Sequence, residues 1–134
     1  MSRIGRAALA VALTVAGIAG PAEAARAETG AACEVLYQKS SHSGGFTATI
    51  TVRNTGTVPI RGWTFKFPLD TTATVVEFWN AVLVSASGVI AAHEQAWNGV
   101  VQPGGSITIG FRAAGTSGTP SGFTVNDLPC RVAP

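Results

Sequence analysis

The sequence predicts an all-β protein, an antiparallel β-sandwich, from three observations. Short runs alternate between apolar and polar side chains, which is the period-two pattern of half-buried strands. Turn-forming residues separate these runs, and no window keeps a helical period. About seven short strands at this spacing are typical of two packed sheets. The predicted strands lie at roughly 33–39, 45–54, 60–67, 74–80, 82–91, 106–113 and 122–126.

The segments GFTATITVRN and SITIGFRA show this alternation most clearly. One face of each predicted strand is apolar, and the other carries mainly threonine and arginine. Side chains expected to face the core are Phe46, Ala48, Ile50, Val52, Ile107, Ile109 and Phe111. Those expected to face outward are Thr47, Thr49, Thr51, Arg53, Thr108, Gly110 and Arg112.

Turns between the strands are marked by glycine, asparagine and proline. The segment GTSGTPSG (115–122) resembles a linker, but too few residues follow it to fold alone. Because Cys130 also lies beyond it, we interpret this segment as a loop before the last strand. The turn signals are Ser43-Gly44-Gly45, Asn54-Thr55-Gly56, Ser87-Gly88, Asn98-Gly99 and Pro103-Gly104-Gly105.

Residues 1–27 have the pattern of a secretory signal peptide. Arg3 and Arg6 precede the apolar run AALAVALTVAGIAG, and two A-x-A sites follow it, with cleavage after Ala24 or Ala27. The alternative is an uncleaved anchor, but the run is too short to span a bilayer. We therefore expect a secreted, extracellular domain over residues 28–134, without an attached enzyme and without membrane contact once the signal peptide is removed.

The charge of the predicted mature domain excludes one class of partner. Residues 28–134 hold six basic and six acidic side chains, so the whole-chain net charge of +2 comes from the leader. No basic stripe remains to neutralise a phosphate backbone. We expect a monomer that does not bind nucleic acid.

Cys33 and Cys130 are the only cysteines in the sequence. In an exported chain, an even pair is typical of a disulfide. Such a bond would close nearly the whole domain into one loop and contribute about 4–5 kcal/mol in chain-entropy models. The alternative, two ligands of a metal site, lacks further clustered cysteine or histidine.

The alternation of the strands and the nearby turn signal predict which of the three tryptophans are buried and which are exposed. Trp63 shares a face with Phe65 and Phe67, which predicts a core position. Trp79 lies opposite Val76 and Phe78, beside Glu77, so it should point outward. Trp97 precedes the turn signal Asn98-Gly99 and should also be exposed.

Two exposed indoles on a polar domain indicate a binding partner. An indole is a flat, rigid plate that fits the apolar face of a pyranose ring, and covering half of it supplies roughly 2–3 kcal/mol. Nearby amide and hydroxyl side chains could bond the sugar hydroxyls. The alternative is that both rings pack partly under loops.

Several blocks of the sequence together resemble the family 2 carbohydrate-binding modules of secreted bacterial polysaccharide-degrading systems. The resemblance covers about residues 33–130 and rests on VRNTGTVPIRGWTFKF, VVEFWNA, AWNGVVQPGGSITIGF and the closing Cys130. It implies an immunoglobulin-like sandwich whose ends are joined by a disulfide. It also implies that Trp79 and Trp97 belong to a planar aromatic strip that binds cellulose, or in some members chitin or xylan, and that Trp63 is the buried tryptophan.

His42 occupies the position where the third tryptophan of such a strip usually lies. Imidazole is planar but smaller and better hydrated than indole, and it titrates near neutral pH. We therefore expect weaker binding to a flat crystal face than a module with three tryptophans shows, with some dependence on pH. The alternative is a solvated loop histidine without a role.

No catalytic group is predicted. Glu77 and Glu94 are the obvious carboxylate pair for glycoside hydrolysis, but a flat strip offers no cleft to distort a sugar, so both are interpreted as solvated surface charges. His42 and His93 have no third metal ligand near them in sequence, and no cofactor is expected. The sequence predicts non-catalytic binding of insoluble polysaccharide, cellulose first, with separately secreted glycoside hydrolases as partners. The alternatives are a small polysaccharide-degrading enzyme and an adhesive sandwich that binds protein.

Overall fold

The computed structural model describes residues 32–134, and the predicted signal peptide lies outside the described residues. The described part of the chain folds into twelve strands. These are β1 (Cys33–His42), β2 (Gly45–Asn54), β3 (Ile60–Arg61), β4 (Thr64–Pro68), β5 (Ala73–Trp79), β6 (Val82–Ser85), β7 (Val89–His93), β8 (Val100–Val101), β9 (Ser106–Gly115), β10 (Thr124–Val125), β11 (Leu128–Pro129) and β12 (Arg131–Val132).

The strands form the sandwich that the sequence predicts. The first sheet has the order β12-β1-β2-β9-β5, and the second has the order β11-β10-β4-β7-β6. A small ribbon of β3 and β8 accompanies them. Neighbours are antiparallel except β1 and β12, which run parallel. The fold class is therefore confirmed.

Two predicted strands are each divided in the structure. The run 60–67 breaks at Gly62, where φ is +69°, and continues as β4. The run 82–91 folds back at Gly88, where φ is +68°, to make the hairpin of β6 and β7. Both breaks use a backbone conformation that glycine adopts at little cost.

Aromatic rings from both sheets fill the core. Phe111 of the first sheet lies 5.5 Å from Phe67 of the second, measured between ring centroids. Tyr37 packs against Phe111 and Phe123, and burial raises its pKa to about 12. The predicted alternation of β2 is confirmed, because its apolar residues are at most 4% exposed.

The alternation predicted for β5 is wrong at Val76. The pairing of β5 with β9 shifts register between Val75 and Glu77, so one extra residue is inserted at this point. As a result Val75 is buried and Val76 is 49% exposed. Beyond the bulge the prediction holds again, since Phe78 stacks on Phe111 inside and Trp79 points outward.

A disulfide joins the two ends of the domain. Cys33 and Cys130 are bonded, with their Cα atoms 4.7 Å apart and a separation of 97 positions along the chain. The predicted disulfide is confirmed, and the alternative of two metal ligands is excluded because both sulfurs are used. The bond fastens the last strand, β12, beside β1.

Candidate functional site

The outer face of the first sheet carries a regular array of polar side chains around one indole. In this sheet the residues that alternate with the core positions point away from the sandwich. The strand register aligns Trp79 with Gly110, and Gly110 with Thr49. The next row along the strands aligns Glu77, Arg112 and Thr47. A single indole at the edge strand therefore adjoins a flat polar surface.

Trp79 lies directly over Gly110. A Cβ atom on Gly110 would be 3.0 Å from Cε3 and 3.6 Å from Cζ3 of the Trp79 indole. Gly110 itself is buried although it is on the outward side of β9, while Trp79 remains 40% exposed. The absence of a side chain at Gly110 thus lets the indole approach the sheet closely.

Replacing Gly110 with valine should displace the Trp79 indole, although valine itself favours β-structure. The added Cβ would also lie 3.2 Å from the backbone oxygen of Ala48, so the thermal stability of the variant has to be measured beside its binding. The added atoms would collide with the indole and force it to move, at about 1–3 kcal/mol of overpacking. If Trp79 contributes to ligand binding, affinity for that ligand should fall roughly fivefold. Adsorption isotherms would measure this.

The matched control for Gly110→Val is Thr108→Val. It changes the same face of the same strand but keeps the shape of the side chain. Unchanged adsorption by both variants would show that the close contact between the Trp79 indole and Gly110 is not needed for binding.

Trp97 is carried by a turn that differs from the one predicted. A reversal was expected at Asn98-Gly99, but the turn closes one step earlier, where the Asn98 N–H donates to the Gln95 carbonyl at 3.2 Å. The Gln95 N–H in turn donates to Oδ1 of Asn98 at 2.8 Å. Asn98 therefore closes the turn, and Trp97 within it is 69% exposed.

The Trp97 turn is joined to the end of β5. Nδ2 of Asn98 donates to the carbonyl oxygen of Asn80 at 2.7 Å, and Asn80 directly follows Trp79. The two exposed indoles thus belong to segments connected by one hydrogen bond. Sequence reasoning missed this contact, because nothing local indicates which backbone carbonyl the Asn98 amide reaches.

Trp63 is in the core, at 2% exposure, and it is hydrogen-bonded to Glu94, one of the two carboxylates considered for hydrolysis. Its backbone N–H donates to Oε1 of Glu94 at 3.1 Å. Glu94 is therefore a half-buried structural acceptor, and its interpretation as a solvated charge is wrong. Glu77 lies elsewhere, on the outer face, where its carboxylate is 3.4 Å from Nε of Arg112.

His42 ends β1 on the same outward side as Trp79, but not beside it. Its Nε2 lies 3.2 Å from Oγ1 of Thr47. His42 is separated from Trp79 by three strand spacings across the sheet and by four residues along the strands. In a flat sheet this separation corresponds to roughly 20 Å. A cleft of about 260 Å³ borders this end of the sheet, lined by Lys39, Ser41, His42, Gly44, Gly45, Phe46, Gly115, Thr116 and Ser117.

Residues 32–134 contain neither a cluster of metal ligands nor a membrane-spanning helix. Within this range, acidic, histidine and cysteine side chains form no group of three or more that could hold a metal ion. The same range contains no helix with the length and apolar character needed to cross a membrane.

A β-sandwich with two exposed indoles, one of them beside a polar sheet face, defines a carbohydrate-binding module. Residues 33–130 match the family model described as a cellulose binding domain. The chain belongs to this family, the family 2 carbohydrate-binding modules, as its sequence motifs indicate. The described domain is a binding module and not a catalytic one.

Curated relatives share this domain as a small part of longer proteins. Exoglucanase B of Cellulomonas fimi is 35% identical over 105 residues, which are 77% of this chain and 10% of that protein. Chitinase 63 of Streptomyces plicatus is 37% identical over 124 residues, which are 92% of this chain and 20% of that protein. The chain thus spans a tenth to a fifth of these relatives, whose names describe whole enzymes.

Solved structures resemble the fold as well. The chitin-binding domain of Chi18aC from Streptomyces coelicolor matches with a TM-score of 0.61 and 31% identity, covering 74% of this chain and 94% of that one. The cellulose-binding family 2 domain from ScLPMO10C matches with a TM-score of 0.53 and 36% identity, covering 64% and 85% respectively.

Proposed function

We propose that this domain binds insoluble polysaccharide by stacking sugar rings on Trp79 and Trp97, the aromatic pair, with His42 as a third and weaker contact. The observation that carries the proposal is the exposure of both indoles, 40% and 69%, on segments tied together by the Asn98–Asn80 hydrogen bond. Exposed indoles are costly to a soluble domain unless a partner covers them.

The energetics suit a long polymer better than a single sugar. Covering one face of each indole supplies roughly 2–3 kcal/mol per ring. When one ring has engaged a chain, the other binds the same chain at high effective concentration. Two modest contacts therefore add up to useful adsorption.

The polar row beside Trp79 gives the orientation of the bound chain. The side chains of Arg112 and Glu77 are each about half exposed, at 50% and 49%, so their remaining donors and acceptors face solvent. Thr47 and Ser40 continue this row across the sheet. Hydrogen bonds from these groups to sugar hydroxyls would fix the direction of a chain that the indoles hold by its flat face.

Cellulose is the first candidate substrate, and chitin is the second. Both are β-1,4-linked chains that present flat apolar faces to an indole. The family description and the neighbour from ScLPMO10C support cellulose, whereas the neighbour from Chi18aC supports chitin. Adsorption of the purified domain to crystalline cellulose, chitin and insoluble xylan tests the proposal. Retention on one of them supports it, and retention on none overturns it.

The site of action proposed here is extracellular, alongside separately secreted glycoside hydrolases. A disulfide that closes the domain persists in an oxidising compartment, which supports this location. The curated relatives are polysaccharide-degrading enzymes, which supports a role at the surface of their substrates.

Replacing His42 with tryptophan should tighten adsorption about tenfold, because an indole covers more of a sugar ring than an imidazole does. Depletion isotherms on the best-bound polysaccharide would measure the change. The control is Ser41→Trp, which adds the same ring one residue away, on the other side of β1. Equal isotherms for His42→Trp and the unmodified domain would remove His42 from the site.

A further inference from the structure

We propose that Asn98 is a positioning residue that holds Trp97 in a fixed place relative to Trp79. This inference rests on the proposed function, because it concerns the pair of indoles that would receive the polysaccharide. It adds a residue that need not touch sugar and acts only through the orientation of its neighbour.

The backbone N–H and C=O of Asn98 and its side-chain Oδ1 and Nδ2 all form hydrogen bonds, and their partners lie on three separate segments. Its N–H and Oδ1 close the turn by bonding the carbonyl and the N–H of Gln95, at 3.2 and 2.8 Å. Its backbone carbonyl accepts from Nε1 of the buried Trp63 at 2.9 Å. Its Nδ2 donates to the carbonyl of Asn80 at 2.7 Å. One residue thus joins the Trp97 turn to the core and to the end of β5.

Asn80, which Asn98 contacts, is itself hydrogen-bonded to β9, the strand over which the Trp79 indole lies. Asn80 has a φ of +66°, and its own Nδ2 donates to the carbonyl of Thr108 at 2.8 Å. Thr108 lies on β9 two residues before Gly110, over which the Trp79 indole lies. The bonds therefore run without a break from the turn of Trp97 to the strand beneath Trp79.

A fixed separation between the indoles matters because the partner is a stiff polymer. A turn free to move would have to lose that freedom on binding, and this loss subtracts from affinity. Hydrogen bonds already made in the free protein remove this cost. Asn98 should accordingly affect binding through Trp97 and not through a contact of its own.

The variant Asn98→Asp isolates the bond to Asn80. Aspartate has nearly the same shape and still accepts from the Gln95 N–H, but it has no Nδ2 to donate and places a carboxylate against the Asn80 carbonyl. We expect adsorption to weaken about fivefold to tenfold. Asn98→Ser, whose hydroxyl can still cap the turn but is too short to reach Asn80, should give the same loss and serves if the aspartate variant folds poorly.

Asn126→Asp is the matched control. The side chain of Asn126, like that of Asn98, accepts from one backbone N–H, that of Thr64, and donates to one carbonyl, that of Gly62. Unlike Asn98, it has a positive φ. It lies after β10, at the second sheet. Its replacement should change adsorption by less than about twofold, even if it destabilises the fold similarly.

A double-mutant cycle separates positioning from general damage. In a Trp97→Ala background, Asn98→Asp should have less than about a twofold effect, because there is no longer an indole to position. When Trp97 is present, Asn98→Asp should shift the indole N–H resonance of Trp97.

Three outcomes have distinct meanings. Full adsorption by Asn98→Asp and Asn98→Ser, with Trp97→Ala impaired, overturns the inference and leaves the proposed function standing. An equal loss in both backgrounds of the cycle also overturns it. Full adsorption by Trp97→Ala removes the aromatic pair itself, and with it the proposed site.

Discussion

Replacing both Trp79 and Trp97 with alanine is expected to abolish measurable adsorption to the polysaccharide that the domain binds. Each stacked indole contributes roughly 2–3 kcal/mol, so losing both should lower affinity by at least about a hundredfold. Each single variant should lose about tenfold or more. Depletion isotherms on the insoluble polymer, with the free protein quantified after centrifugation, give these values.

The control for this pair removes exposed apolar side chains from the other sheet. Val84 and Val89 are 63% and 58% exposed on the hairpin of β6 and β7. Their double replacement by alanine also removes apolar surface but should leave adsorption unchanged. Undiminished adsorption by the double variant Trp79→Ala, Trp97→Ala would instead mean that another surface of the sandwich binds the polymer.

Removing the disulfide should have the largest effect on stability. The Cys33–Cys130 bond spans 97 residues, and closing such a long loop contributes about 4–5 kcal/mol in chain-entropy models. A domain of this size has a total stability of only about 5–15 kcal/mol. Replacing both cysteines with alanine should therefore lower Tm by roughly 20 °C.

Thermal unfolding followed by circular dichroism, with and without a reducing agent, would measure this effect. The reducing agent should lower Tm of the unmodified domain and leave the double-alanine variant unchanged. The exposed Arg131–Glu34 ion pair, at 3.1 Å, contributes little and cannot replace the covalent bond. A Tm change of less than about 5 °C would mean that sheet pairing alone holds the ends together.

Most of the fold could be predicted because most of its strands alternate between apolar and polar residues. The core positions of β2 and β9 follow from their sequence alone, since a period of two leaves one face apolar. Val76 could not be placed, because a β-bulge is set by the pairing of β5 with a distant strand. The break at Gly62 likewise depends on how β3 pairs with β8.

The candidate site was only partly predictable, because some of its contacts join residues that are distant in sequence. The exposure of Trp79 and Trp97 follows from alternation and a nearby turn signal, and it is confirmed. The contact between the Trp79 indole and Gly110 depends on the pairing of two residues that are 31 positions apart. The glycine inside SITIGF did indicate, however, that another group could approach the backbone of this strand closely. Nothing local indicated that Glu94 would accept from Trp63 or that Asn98 would reach Asn80.

Protection of the indoles from a tryptophan-selective oxidant would test the central claim most directly. The free domain should be oxidised at Trp79 and Trp97 but not at Trp63, which is 2% exposed. Peptide mapping by mass spectrometry, on protein adsorbed to cellulose or chitin, should show both exposed indoles protected together. An adsorbed domain in which Trp79 and Trp97 are oxidised as fast as in solution would contradict binding through this aromatic pair.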